Sequence, residues 1–399
     1  MTHTAVELPT QRTPGCPFDP PAELTRISAE SSLTPLAFSD GHEGWLATGH
    51  TLIRRVLADP RFSSRIELMH SPLPGSQRME PPAGPGFFIS MDAPEHTRYR
   101  KLLTGKFTVR RMKLLTERIE RVTTEHLDAM ERHGGPVDLV AAFAQPIPSI
   151  VICELLGVPY EDRQSFQDDV ATLFADEDAQ TRDEQYEALG ALRTYVGRLV
   201  AAKRVTPTDD LLSDLTTGEL TDDELTGIGV LLLAAGLDTT TNMLALGTFA
   251  LLRHPDQWAA LCAEPELVDS AVEELMRYLS IVPNLARVAL EDIELDGHLV
   301  KAGSTVLLAS SVANRDPAKF ADAHTLDLRR NPVGHTGFGH GVHQCLGQQL
   351  ARVEMRVAFT ALAARFPGLR LAVPADEVPL RNAGNSTAIY GASALPVTW

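Results

Sequence analysis

Phe338-Gly339-His340-Gly341-Val342-His343-Gln344-Cys345-Leu346-Gly347 is the stretch on which the reading of this 399-residue chain turns, because an apolar helix pattern follows it at once, from Leu346 to Arg365. Gly337, Gly339, Gly341 and Gly347 allow the backbone to turn tightly and lie flat against a planar partner, which larger side chains would block. A helix beginning near Leu346 aims free N–H groups and about half a positive charge back at the sulfur, an arrangement that favours the thiolate. A lone thiol so placed is built to hold a metal. Two other readings stand beside this one. Free cysteines are usually buried, inert, small hydrophobes. Alternatively His335, His340, His343 and Cys345 are four ligands within eleven residues that zinc would accept, as in a zinc hydrolase. Zinc accounts for the ligands but not for the Phe-Gly-x-Gly spacing.

The segment resembles the haem-binding loop of the cytochrome P-450 superfamily, whose signature Phe-Gly-x-Gly-x-[His/Arg]-x-Cys-x-Gly it matches at every fixed position. The resemblance implies haem b (iron protoporphyrin IX) with Cys345 as the metal ligand, and Phe338, His343 and Gly347 among the residues that hold the cofactor. An axial thiolate pushes electron density toward bound dioxygen and favours O–O cleavage.

Upstream, the periodicity from Asp222 to Leu252 is apolar nearly all round, so it predicts a buried central helix. Its middle, Ala235-Gly236-Leu237-Asp238-Thr239-Thr240-Thr241-Asn242, is polar, and buried Asp and Thr cost free energy unless hydrogen-bonded. Each threonine could simply bond the carbonyl four residues earlier. Gly236 argues for more, since a mid-helix glycine costs ~1 kcal/mol and suggests that the backbone opens or a ligand approaches. The segment is similar to the same family's oxygen-activation motif, [Ala/Gly]-Gly-x-[Asp/Glu]-Thr-[Thr/Ser]. That likeness makes Thr239 the hydrogen-bond partner of dioxygen at the iron and Asp238 the relay that brings protons from solvent.

Glu274 and Arg277, at i and i+3, would alone be an ordinary surface pair worth ~0.2–0.5 kcal/mol. Their order and spacing between the two motifs match the family's Glu-x-x-Arg, and the resemblance adds Arg330 as the third member of a buried charge network that fixes the cysteine loop. His96 and Arg100 stand at i and i+4 and can share a helical face. By the same resemblance they bind the haem propionates with Arg287 and His343. Phe87, Phe88, Leu232, Ala235, Val282, Leu285 and Ile389 are the expected walls of a substrate pocket. The proline- and glycine-rich stretch from Met69 to Gly86 is the length of a binding loop or lid, and in the family it caps that pocket.

Composition sets the outer bounds. The formal charge is −16, from 36 basic and 52 acidic residues, which argues against general nucleic-acid binding and against anionic lipid. Four scattered cysteines (Cys16, Cys153, Cys262, Cys345) form no C-x-x-C pair and point to a reducing compartment. The proline-dotted N-terminus shows no signal sequence, and the longest apolar stretch noted, Ile228–Leu237, is far short of the ~20 residues that span a bilayer. The expectation is a cytoplasmic protein with no membrane attachment. From His96 to Lys113 the sign reverses, with Arg98, Arg100, Lys101, Lys106, Arg110, Arg111 and Lys113 and no acid, a candidate docking face for an acidic ferredoxin.

Helical periods at Arg110–Arg132, Gln185–Lys203, Asp222–Leu252, Pro265–Leu279 and Leu346–Arg365, against strands at Trp45–Thr48, Asp292–Val300 (with an Asp296-Gly297 hairpin turn) and Thr305–Leu308, predict a mainly α chain with a minor β region. The resemblance implies the cytochrome P-450 fold as one catalytic domain over residues 1–399, a monomer. It implies a monooxygenase of actinobacterial type that hydroxylates or epoxidises a small hydrophobic substrate (polyketide or macrolide, terpenoid or xenobiotic) with dioxygen. Electrons would come from NAD(P)H through ferredoxin reductase and ferredoxin, since the chain has neither a Gly-x-Gly-x-x-Gly before a helix nor a cysteine cluster. Arginine outnumbers lysine 30 to 6, as GC-rich coding would give. Two alternatives keep the haem: a ligand-binding protein without turnover, and an oxidation that ends in desaturation, ring closure or coupling.

Overall fold

A computed structural model describes residues 5–12, 15–38, 40–72, 81–106, 109–173, 181–381 and 389–399. Helices dominate, and the helix Asp222–Arg253, the central helix, organises them. Its N-terminus is closed by a capping box in which Thr221 and Glu224 exchange hydrogen bonds. Its length and apolar character would suffice to cross a membrane, but it is largely buried among other helices. Arg182–Val205, Pro146–Leu156 and Gln348–Arg365 all pack against it.

The helical periods fall where the sequence puts them: Val109–His133, Arg182–Val205, Asp222–Arg253, Val268–Leu279 and Gln348–Arg365. Two starts differ. Pro265–Leu267 is a 3-10 turn that delays the helix proper to Val268, and the helix after the cysteine begins at Gln348 with Gly347 as its cap, not near Leu346.

A five-stranded sheet lies to one side, in the spatial order Leu33–Ala37, Glu43–Ala47, Thr305–Leu308, Leu285–Ala289, Phe62–Ser63. Glu43–Ala47 and Thr305–Leu308 run parallel (Trp45 opposite Val306) and the other pairs antiparallel. Pro35 hides the first strand from sequence patterning; a proline is tolerated there because the strand is at the edge. The hairpin expected in Asp292–Val300 forms from Ile293–Leu295 and His298–Val300, with Asp296 and Gly297 both at positive φ in its two-residue turn. A short sheet, Leu380–Arg381 with Gly391–Ala392, sets its second strand on the central helix. Of the expected capping loop, residues 73–80 lie outside the described residues.

Candidate functional site

The cysteine loop is held from three directions. The Cys345 N–H donates to the Phe338 carbonyl at 2.9 Å, closing the loop on itself. Gly339 and Gly341 both have positive φ, and at Gly341 a side chain would strike the Leu57 carbonyl, so glycine is required there on two counts. Gly347 differs: a Cβ would meet no protein atom within 4 Å, so what glycine preserves is clear ground beside the sulfur. Burial pushes the Cys345 thiol up, while the backbone N–H groups of Gly347 and Gln348, with Arg100 and Arg352 farther off, pull it down. The helix-end donors are thus where the sequence expected them, but without a metal burial outweighs them and the thiol is not lowered. Cys345 is nevertheless only half-buried.

Zinc is not what the loop is built for. His335 bonds Glu273 at 3.0 Å, His343 lies 4.0 Å from the His96 ring, and among the described residues no three ligands converge on a metal-sized site.

The charge network is complete. Arg277 Nε and Nη2 donate to the two oxygens of Glu274 at 2.7 and 2.8 Å, and both side chains are 0% exposed. Arg330 Nε adds a bond to Glu274 at 3.1 Å, and the Asp327 N–H another at 3.0 Å. Arg277 also donates to the carbonyls of Asn314 and Ala323. The Asn314 side-chain oxygen in turn accepts from the backbone and hydroxyl of Thr336, two residues before Phe338. Asn314 is therefore the link by which the network reaches the cysteine loop, and no motif marks it.

On the central helix, otherwise almost wholly buried in its middle, Leu232, Ala235, Gly236 and Thr239 are the uncovered stripe. The helix runs unbroken through Gly236, so the expected opening of the backbone does not occur. A Cβ there would sit 3.0 Å from the tip of the Ile152 side chain, so glycine relieves a tight contact. Thr239 and Thr241 both donate to carbonyls four residues earlier, at 2.8 Å, and Asn242 does the same to Asp238. Asp238 is buried; Oδ1 accepts from Arg381 at 2.6 Å and Oδ2 has no partner among the described residues. Burial raises its pKa and Arg381 opposes the rise. Arg381, on the short C-terminal sheet far along the chain, carried no sequence signal.

His96, Arg100, Arg287 and His343 converge as expected. Burial holds Arg287 down at about 10 and His343 at about 3, where His96, Arg287 and Arg100 add their charge against it. Among the described residues His96 Nε2 is buried without a partner, and the hydrogen bond Arg287 makes goes to its neighbour's carbonyl, Ala286, at 2.7 Å. The nearby acid, Asp92, is engaged by Ser63 Oγ and the Ser64 N–H. An open groove of about 390 Å³ passes His96 and Arg100 on its way to Val342 of the cysteine loop. Buried cationic and imidazole groups with one occupied acid between them suit a ligand bearing carboxylates, and a flat one would fit over Gly347 against the thiol. These residues fit haem.

The other expectations are met unevenly. Phe87, Val282 and Leu285 are half-buried, whereas Phe88 and Ile389 are buried, with Phe88 packed toward His96 in the main core. The basic run is not a uniform patch. Arg98 pairs with Glu224, Arg110 with Asp209 and Arg111 with Asp214, because acids remote in sequence fold over it; Lys101 and Lys113 stay exposed.

Residues 176–383 match the sequence pattern of the family described as Cytochrome P450. Cytochrome P450 105C1 from Streptomyces sp is 49% identical over 385 residues, covering 96% of each chain. Pentalenic acid synthase from Streptomyces avermitilis is 43% identical, over 99% of this chain and 97% of its own. Among solved structures, CYP105P1 in complex with filipin I superposes with a TM-score of 0.92 at 42% identity, covering 99% of both chains.

Proposed function

The chain belongs to the cytochrome P450 family and is a haem monooxygenase, and from that premise we propose that it hydroxylates or epoxidises a small hydrophobic natural product or xenobiotic, of polyketide, macrolide or terpenoid type. The observation that carries this reading is Cys345, half-buried and held by the Gly347 and Gln348 N–H groups in a glycine-lined loop, in a chain whose central helix leaves Leu232, Ala235, Gly236 and Thr239 uncovered. One relative named for making pentalenic acid and one solved with filipin I support that substrate range. On this reading residues 1–399 act as one catalytic domain, a monomer in the cytoplasm.

Bound through a cysteine thiolate, haem supplies oxygen activation: one atom of dioxygen enters the substrate and the other leaves as water, at the expense of two electrons and two protons. The protein's residues do the rest. His96, Arg100, Arg287 and His343 hold the propionates, and Phe338 and Gly347 shape the floor beside the sulfur. Glu274, Arg277 and Arg330 keep the loop rigid through Asn314. Asp238, whose pKa burial raises against the pull of Arg381, relays protons from solvent, and Thr239, on the uncovered stripe, hands them on by turning its hydroxyl from the Ala235 carbonyl. Phe87, Leu232, Ala235, Val282 and Leu285 exclude water around the substrate, with Phe88 and Ile389 behind them. NAD(P)H is the electron source, through ferredoxin reductase and ferredoxin; the exposed Lys101 and Lys113 favour an acidic partner.

Reduced protein under carbon monoxide should show the strongly red-shifted Soret band of thiolate ligation, and Cys345→His should lose that shift while keeping haem. A shift that survives in the variant means that another thiol is the ligand, and the assignment fails.

A further inference from the structure

Three residues outside the motifs, Glu273, His335 and Arg352, form a circuit that closes on Phe338 of the cysteine loop. Glu273, next to the charge-network glutamate but on another face, accepts from Arg352 Nε at 2.5 Å and Nη2 at 3.0 Å. The same carboxylate bonds His335 Nε2 at 3.0 Å. His335 Nδ1 accepts the Gly337 N–H at 3.1 Å, which fixes the tautomer with its proton on Nε2, toward Glu273. The guanidinium of Arg352 then lies 4.4 Å from the centre of the Phe338 ring. Phe338 closes the circuit, because its carbonyl takes the Cys345 N–H.

We propose that Glu273, His335 and Arg352 form a positioning cluster that clamps Phe338 and places one fixed positive charge within electrostatic reach of the Cys345 sulfur, thereby setting the reduction potential of the bound haem. The proposal rests on Cys345 as the ligand. Two-pronged gripping by Glu273 removes the freedom of a long side chain, so the charge stays put. Burial would push Glu273 up, yet the bonds from His335 and Arg352 hold it at about 2, so the clamp is ionised at every working pH. Arg352 also acts on the sulfur in the direction of the thiolate. Its position over Phe338 is a cation–π contact that a smaller or non-planar cation would not reproduce.

The sign of the effect separates this role from simple scaffolding. A cation near the site favours the reduced, less positive state of the haem, and a carboxylate favours the oxidised one. Arg352→Gln should therefore lower the midpoint potential, by up to about tenfold in the reduction equilibrium (~59 mV for one electron). Glu273→Gln, which keeps the shape and removes only the countercharge, should raise it. Arg352→Lys should fall between Arg352→Gln and the parent. Potentials are measured by spectroelectrochemical titration of the purified holoprotein, with the ferrous–carbon monoxide Soret band confirming that the thiolate is intact. Loss of that band in the parent protein overturns the ligand assignment; an intact band with equal potentials, or with both Gln variants shifted the same way, overturns the cluster's role alone.

Discussion

The two sides of the cleft are built on opposite terms. On the cysteine side polar groups are tied more than once: Glu274 Oε1 alone takes bonds from Arg277, Arg330 and the Asp327 backbone, and the chain of contacts continues through Asn314 to Thr336. On the central-helix side and around the propionate residues, Asp238 Oδ2 and His96 Nε2 are buried without partners among the described residues. Each such orphan costs about 1–3 kcal/mol, a cost sustained where a ligand or a proton is to arrive. The charge network is tied by the fold, while Asp238, His96 and also Glu354 Oε2 of the cysteine helix each keep an unpartnered buried atom among the described residues.

The comparison breaks most severely if the cysteine side proves tolerant. Arg277→Ala leaves Glu274 buried with a much weakened countercharge, so it should cost about 3–5 kcal/mol in denaturant unfolding and reduce haem retention. Arg277→Lys should recover little, since one ammonium cannot serve Glu274 and three carbonyls at once. A loss under 1 kcal/mol in either variant would show that the network is not what holds the loop.

Glu354 sharpens the contrast because it bridges the two sides, standing on the cysteine helix and hydrogen-bonding Thr240 of the central one. Burial pushes its carboxyl up to about 8, from an ordinary 4.5. The folded protein therefore holds a proton that the unfolded chain releases, and stability should fall as pH rises from about 4.5 to 8. Glu354→Gln removes that slope. The variant should match the parent near pH 4.5 and exceed it by a few kcal/mol at pH 8, in urea unfolding followed at each pH. Parallel curves would mean that the carboxyl is ionised inside the protein.

The same contrast explains what was legible in the sequence. Cys345, Glu274 and Arg277 lie in short motifs whose spacing is local, even though Glu274 and Arg277 also make several long-range bonds once folded. The helical periods were readable because apolar residues repeat along them. Arg381, Asn314 and the Glu273–Arg352 clamp were not, since each acts on a partner 22 to 143 residues away and no period or spacing connects them. Asp209 and Asp214 likewise turned a basic run into a mixed surface from about a hundred residues off. The edge strand at Leu33–Ala37 was lost behind Pro35, whose tolerance depends on a neighbour that only the folded sheet supplies.

The smallest stability effect, and the most discriminating test, lies in two threonines of the central helix. Thr239 and Thr241 make the same bond to the carbonyl four residues back, both at 2.8 Å, so local structure does not tell them apart. Their surroundings do: Thr239 belongs to the uncovered stripe and Thr241 is buried against the neighbouring elements. Thr239→Ala should leave haem and substrate binding intact and change stability by no more than ~0.5 kcal/mol. It should nevertheless divert reducing equivalents to hydrogen peroxide, cutting the ratio of product to NAD(P)H consumed several-fold, because the hydroxyl that passes protons on from Asp238 is gone. Asp238→Asn should instead slow oxygen consumption by removing the titrating group. Thr241→Ala should do the reverse of Thr239→Ala, costing ~1 kcal/mol through the lost methyl and hydroxyl packing while coupling stays at the parent level. Equal coupling in the two alanine variants would sink the special role of Thr239, and would mean that the uncovered stripe is a pocket wall with no part in moving protons.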